Sequence, residues 1–336
     1  MNPGRHPCVR LMRACLASLL LYALIFGFVL DRPPSLGFLQ HQLDTKLAHA
    51  ASLDGRKLLI LAGSNGPYSH RCQVIEPILA MPCVNGGTAV GIGLDYVFAR
   101  WQTRLHPGDV VYLPMEPAQY IRTRPETDVG PDAAIMFRHD WRTLAVLPPM
   151  RWLAALFSFD LRTALMAPIE AALLIAHFHD PRAEVTGATN AWGDHVGHTQ
   201  ALAASSQSVL ADIHQDYPTD QQIRAGYGSA LIVRFIRWAN LHGVQVIGGL
   251  PTEFADAPMP DATIAAIRNL YVSNGAEFLA LANGSRYPRS AFFDAPEHLN
   301  EPWQIMHSDA VGRALAVMIR RTGPADADSS KQSFAK

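Results

Sequence analysis

Three short apolar runs constrain this chain more than any other feature. "KLLILAG" (57–63), "PGDVVYLPME" (107–116) and "VQVIGGLP" (244–251) are continuous rather than alternating, and glycine or proline bounds each of them. A run too short for a helix and apolar on both sides of the pleat reads as a strand buried on both faces, as in a parallel sheet. A polar turn and a helix to about Ala80 follow the first run, then "PCVNGG", a short strand ending in glycines. "GLDYVFARWQTRL" (93–105) is amphipathic, with Leu94, Val97, Phe98, Trp101 and Leu105 on one face. Later come a helix over 227–243 closed by Gly243 as C-cap, the strand 244–251, a helix over 261–275, a short strand "EFLAL", and a last helix from about 308 to 321 with Ser308 or Asp309 as its cap. Alternating strands and helices predict an α/β domain over 56–322: three layers, doubly wound about a mainly parallel, flavodoxin-like sheet. An irregular insertion at about 121–225 interrupts it.

Outside that domain the chain divides by composition. Arg5, Arg10 and Arg13 precede "ACLASLLLYALIFGFVL" (14–30), an uncharged segment near the lower limit of the ~20 residues a spanning helix needs. Arginines before the segment and few after it read as an uncleaved signal-anchor in the inner (cytoplasmic) membrane. Residues 1–13 would be cytoplasmic and the bulk of the chain periplasmic. A cleaved signal peptide is the competing reading, but "DRPP" after Leu30 lacks a small-residue cleavage pattern. Residues 31–55 read as a stalk with short helical pieces, and 323–336 as a disordered tail. Residues 150–178 are apolar but interrupted by Asp160, Arg162, Pro168 and Glu170, which favours a buried or membrane-surface helix pair over a second span. Outside the membrane Cys72 and Cys83 would meet an oxidising environment, as a bridge or as two buried thiols. A formal net charge of −1 leaves no basic field for nucleic acid.

Chemistry concentrates in a few places. Ser64 lies at the C-terminal end of the first strand, where α/β enzymes carry nucleophiles, and a serine hydroxyl needs a base that is itself oriented by a third group. Asp294 and His298, four residues apart, share a face of any helical turn. Asp194 and His198 repeat that spacing, and "NAWGDHVGHT" (190–199) adds His195. Two histidines three apart are a weak metal signal without a further ligand, and no metal or cofactor is expected. The bland readings are that Ser64 caps the following helix, Asp294 caps a turn and the glycines serve packing.

"AGSN", "VNGGTAVGIGLDY", "PGDVVYLPMEPAQY" and "FFDAPEHLN", in that order and each at a strand end, resemble the blocks of the SGNH (GDSL-like) hydrolase superfamily. Its membrane-anchored branch, linked to envelope and exopolysaccharide modification, is the nearer likeness. The resemblance covers roughly 57–120 and 244–320. It implies Ser64 as nucleophile, His298 as base and Asp294 as its orienting partner. The oxyanion hole would come from the N–H groups of Ser64 and Gly87, with Gly86 less suited. Asn65, Asn85, Glu116, Asn190 and Asp194 are candidates for substrate or site support. The first block lacks its aspartate, and Asp294 and His298 are one residue further apart than usual, so Glu297 or Glu301 are alternative partners for the imidazole. Where the third block normally carries an asparagine donor, Glu116 and Gln119 stand. The implied activity is an O-acyltransferase or esterase acting on envelope or secreted polysaccharide through an acyl-serine. The alternative is a non-catalytic protein of the same fold, binding glycan or a partner in a polysaccharide synthesis or export complex.

Overall fold

The apolar runs assemble into one five-stranded sheet. In the computed structural model, which describes residues 7–24, 34–156, 176 and 188–321, the strands are β1 (Leu58–Ile60), β2 (Cys83–Asn85), β3 (Val110–Leu113), β4 (Gln245–Gly248) and β5 (Glu277–Phe278). Their order is β2-β1-β3-β4-β5 and every pairing is parallel. Leu59 stands beside Val84 on one side and Val111 on the other, so β1 is internal. This is a doubly wound order, and it reverses direction between β1 and β3. At such a switch point the connections leave to opposite sides and open a crevice above the strand ends, the usual place for a ligand in open α/β sheets.

Strand alternation sorts the side chains into two cores. Leu58, Ile60, Val110, Tyr112 and Ile247 pack with α4 (Cys72–Leu79) and with α8 (Glu301–Arg321). Leu59, Leu61, Val84, Val111 and Val246 face the other way. They pack with α2 (Pro34–Ser52), α5 (Leu94–Gln102), α6 (Tyr227–Leu241) and α7 (Asp261–Val272). Three layers result. At the strands' N-terminal end the Pro107-Gly108-Asp109 turn places Asp109 against Lys57. Its carboxylate takes both the Lys57 backbone N–H (3.0 Å) and the Nζ (2.7 Å), and the pair is buried. A buried cation tolerates such a site only when paired and hydrogen-bonded.

Three expectations change. The stalk is no stalk: α2 is one 19-residue helix with Leu43, Lys46, Leu47 and Ala50 buried along a single face. Lys46 interrupts the apolar stripe in the sequence, yet its ammonium donates to Gly87 O inside the fold. The helix after β1 is two helices, α3 (Asn65–Ser69) and α4, divided at His70, whose backbone is extended. The last helix begins at Glu301, so His307, Ser308 and Asp309 lie within α8 and cap nothing. The N-terminal helix α1 (Pro7–Leu24) carries Arg10 and Arg13, and among the described residues no helix is long and apolar enough to cross a membrane. Residues 25–30 of the expected anchor, most of the 150–178 segment and the 323–336 tail lie outside the described residues.

Cys72 and Cys83 are joined by a disulfide that ties the start of α4 to β2. Closing a loop of 11 residues restricts the unfolded chain, and reduction is expected to cost about 3 kcal/mol. Chemical denaturation with and without reductant checks this. Equal midpoints would show that the link carries no stability.

Candidate active site

The site grows from the two segments that leave the sheet at its switch point. β1 runs into Gly63 and Ser64, and α3 follows at once. Ser64 precedes α3 but makes no side-chain capping bond, so its hydroxyl is not consumed by the helix start. The cap is supplied from β3: Glu116 Oε1 accepts the Asn65 N–H at 3.1 Å, and the Ser64 hydroxyl donates to the same oxygen at 3.5 Å. Gly63 permits this approach, because a Cβ there would lie 2.2 Å from Glu116 Oε1.

The third segment is the turn before α8. His298 Nδ1 is bonded to Asp294 Oδ1 at 2.7 Å, and Asp294 therefore orients the imidazole rather than merely capping the turn. The alternatives are engaged elsewhere: Glu301 pairs with Arg71 at 2.7 Å, and Gln215 donates to the Glu297 carboxyl at 3.5 Å. With Nδ1–H committed to Asp294, the neutral ring presents Nε2 as its basic nitrogen.

What carries this turn to Ser64 is α3 itself. Ser69 Oγ donates to Glu297 O at 2.6 Å and accepts from Leu299 N at 3.4 Å, one bond on each side of His298. Tyr68, four residues after Ser64, stacks its ring on His298 with centroids 4.1 Å apart. Gln304 of α8 reinforces the join, donating to Pro67 O, His70 O and His195 O. Neither Tyr68 nor Ser69 was singled out in the sequence. Their spacing from Ser64, close to one helical turn, was the only available signal.

Electrostatics follow from burial and neighbours. Burial alone would depress the His298 imidazole. The Asp294 hydrogen bond and the Asp294 charge lead the influences that oppose it, and the ring is held above its usual range. Burial pushes the Glu116 carboxyl upward, opposed by the Asn65 N–H, His298 and Ser64. Burial is the leading cause that raises Glu297 to about 7. A base must be neutral to accept a proton, so a His298-dependent activity rises with pH, with its midpoint above the ordinary histidine value. Asp294→Asn removes the charge and offers the ring an amide that can donate where the carboxylate only accepts. It is expected to move that limb to lower pH and to cut the rate by about 10⁴-fold. A pH–rate profile checks this, and an unmoved limb would separate Asp294 from the base.

Other candidates fall away from the crevice. The Gly87 N–H, expected in the oxyanion hole, is directed to Asn85 Oδ1 at 3.3 Å. Gly87 packs so closely on α3 that a Cβ would sit 2.7 Å from Gly66 Cα. Gly86 lies under Trp101, whose ring a Cβ would meet at 2.7 Å. Asn65 Nδ2 donates to Pro114 O at 2.7 Å, joining the two strand ends. Asn85, Asn190 and Asp194 are tied into a structural clamp, the site-support alternative expected for them. Asp194 accepts from the N–H groups of Cys72 (2.8 Å) and Gln73 (3.2 Å), from Asn85 Nδ2 (3.1 Å) and from Asn190 Nδ2 (3.1 Å). His195 and His198 flank Tyr68, with ring centroids 4.3 and 5.3 Å away. Burial holds them neutral, near 3 and 4 respectively. Among the described residues no group of three or more histidine, cysteine, aspartate or glutamate side chains is placed to hold a metal ion.

The architecture so defined is a parallel α/β sheet with a serine, a histidine–aspartate pair and a buried glutamate at its switch point. In comparisons with family models, curated proteins and solved structures, the chain gives no match.

Proposed function

We propose that the chain is a serine-dependent O-acyltransferase or esterase of SGNH type acting on envelope or secreted polysaccharide. In this reading it is held at the inner membrane by the arginine-flanked segment 14–30. The observation that carries the reading is the pair of Ser69 bonds bracketing His298. They tie an aspartate-oriented imidazole to the five-residue helix that follows Ser64, at the crevice where doubly wound sheets bind ligands. His298 Nε2 takes the hydroxyl proton as Ser64 attacks an ester carbonyl. The acyl-serine then passes to water or to a sugar hydroxyl. The polysaccharide substrate rests on the motif resemblance alone, and the membrane placement on the apolar segment 14–30 behind its arginines.

A second reading is a non-catalytic glycan- or partner-binding protein of the same fold. It is favoured by the Ser64 hydroxyl facing Glu116 and by the Gly87 amide being already bonded. A membrane-impermeant fluorophosphonate, applied to cells stripped of their outer membrane, separates the two. Label on Ser64 supports the enzyme and its outward placement. Label only after lysis overturns the placement, and no label with the purified protein favours the binding protein.

A further inference from the structure

Glu116 leaves β3 where Ser64 leaves β1, so the carboxyl and the hydroxyl face each other across the switch point. The glutamate is only 6% exposed. Among the described residues no lysine or arginine forms an ion pair with it. The groups that do face it are Ser64 and Asn65 on the β1–α3 turn, and Glu297 and His298 on the turn before α8. Gln119 lies in its own segment, and its side chain accepts the Glu116 N–H at 3.0 Å. A cavity of about 250 Å³ adjoins Glu116 and Glu297 and is also lined by His214, Asp216 and Tyr217. A buried carboxyl beside a second carboxyl and without a fixed cation is better accommodated neutral than ionised.

We propose that Glu116 is a catalytic residue acting as a neutral acid, its carboxyl O–H donating a hydrogen bond to the oxyanion that forms when Ser64 attacks. This rests on the acyl-serine reading above. Oε1 accepts the Asn65 N–H and faces the Ser64 hydroxyl, and the side chain also accepts the Gln119 N–H in a capping box; in the neutral acid the proton is carried on Oε2. As the bond from Ser64 Oγ to the acyl carbon forms, the carbonyl π pair moves onto oxygen and the hydroxyl proton goes to His298 Nε2. Glu116 shares its proton with the oxyanion without losing it, and the carbonyl re-forms when the leaving group departs. The Gly87 N–H is engaged by Asn85, so the hole is short of one donor, and Glu116 supplies it. An ionised Glu116 would instead oppose the developing charge. The upward push that burial gives its proton affinity has the sign this role requires.

Two measurements on the purified full chain test this. Infrared titration of the wild type should show a protonated-carboxyl band at neutral pH that Glu116→Gln removes. In turnover, Glu116→Ala should lose about 10²–10³-fold, while Glu116→Gln, which keeps a donor, should exceed the alanine variant by about ten-fold or more and lose the wild type's decline at high pH. A Glu116 that is ionised at neutral pH overturns the proposal. So does a Gln variant as impaired as Ala whose Ser64 still takes a fluorophosphonate label. Failure of wild-type Ser64 to label is a different result: it removes the acyl-serine reading, and the oxyanion role with it.

Discussion

Replacing Ser64 with alanine is expected to lower acyl turnover by about 10⁶-fold while leaving the fold intact. The large loss follows because the nucleophile has no substitute at the end of β1. Asn65 is bonded to Pro114 through its amide, and Ser69 is committed to the turn that holds His298. The small structural cost follows from the serine's own contacts. Its hydroxyl makes no capping bond and one long bond to Glu116. Stability should therefore change by no more than about 0.5 kcal/mol. Paired measurements of turnover and melting temperature check both halves. An alanine variant as active as wild type would end the acyl-serine reading, and one that fails to fold would give Ser64 a structural role that its bonds do not suggest.

The largest stability effect should come from Asp194→Ala. This carboxylate is fully buried and accepts four hydrogen bonds, two of them from the first N–H groups of α4. Truncation strands those N–H groups and the Asn190 amide away from water, while Asn85 Nδ2 keeps Gly66 O and His70 O as acceptors. A buried polar network broken on one side typically costs about 3–5 kcal/mol. For a domain of this size that means a fall in melting temperature on the order of 10 °C. Asp194→Asn keeps two acceptor sites and should fall less. Thermal melts of the two variants decide it. A variant of normal stability but altered substrate dependence would return Asp194 to the substrate-side role expected from sequence.

Asp194 shows what a string of residues leaves open. Asn190, Asp194, His195 and His198 look like a ligand cluster when read as a string, because polar residues spaced along one turn suggest a shared target. In the fold the turn serves another element: Asp194 reaches across to α4 and the histidines wall the ring of Tyr68. A hydrogen-bond partner 122 residues away leaves no periodic trace in the sequence. Lys46 shows the same limit from the other direction. A charged side chain within an apolar stripe hid α2, yet the aliphatic stem packs and the ammonium finds Gly87 O.

The serine, histidine and aspartate were legible because each belongs to a local pattern: a glycine-bounded strand end, and two side chains four apart. Tyr68 and Ser69 were not, because they matter only through contacts with a distant turn, and Glu297 was visible only as an alternative partner for the imidazole. Glu116 was visible as a departure from a motif. Its consequence depends on the carboxyl being buried against Ser64 with no fixed positive charge beside it.

Sequence alone determined the α/β layering, since continuous apolar runs and helical stripes can be buried in few other ways. It also placed Ser64 at a strand end. Tertiary structure decided which acid serves His298, that the Gly87 amide is engaged by Asn85, that Cys72 and Cys83 are joined, and that residues 34–52 belong to the core. Burial patterns repeat with the periods of helix and strand and so can be read along the chain. Hydrogen bonds between distant segments obey no period, and only their meeting in space defines them.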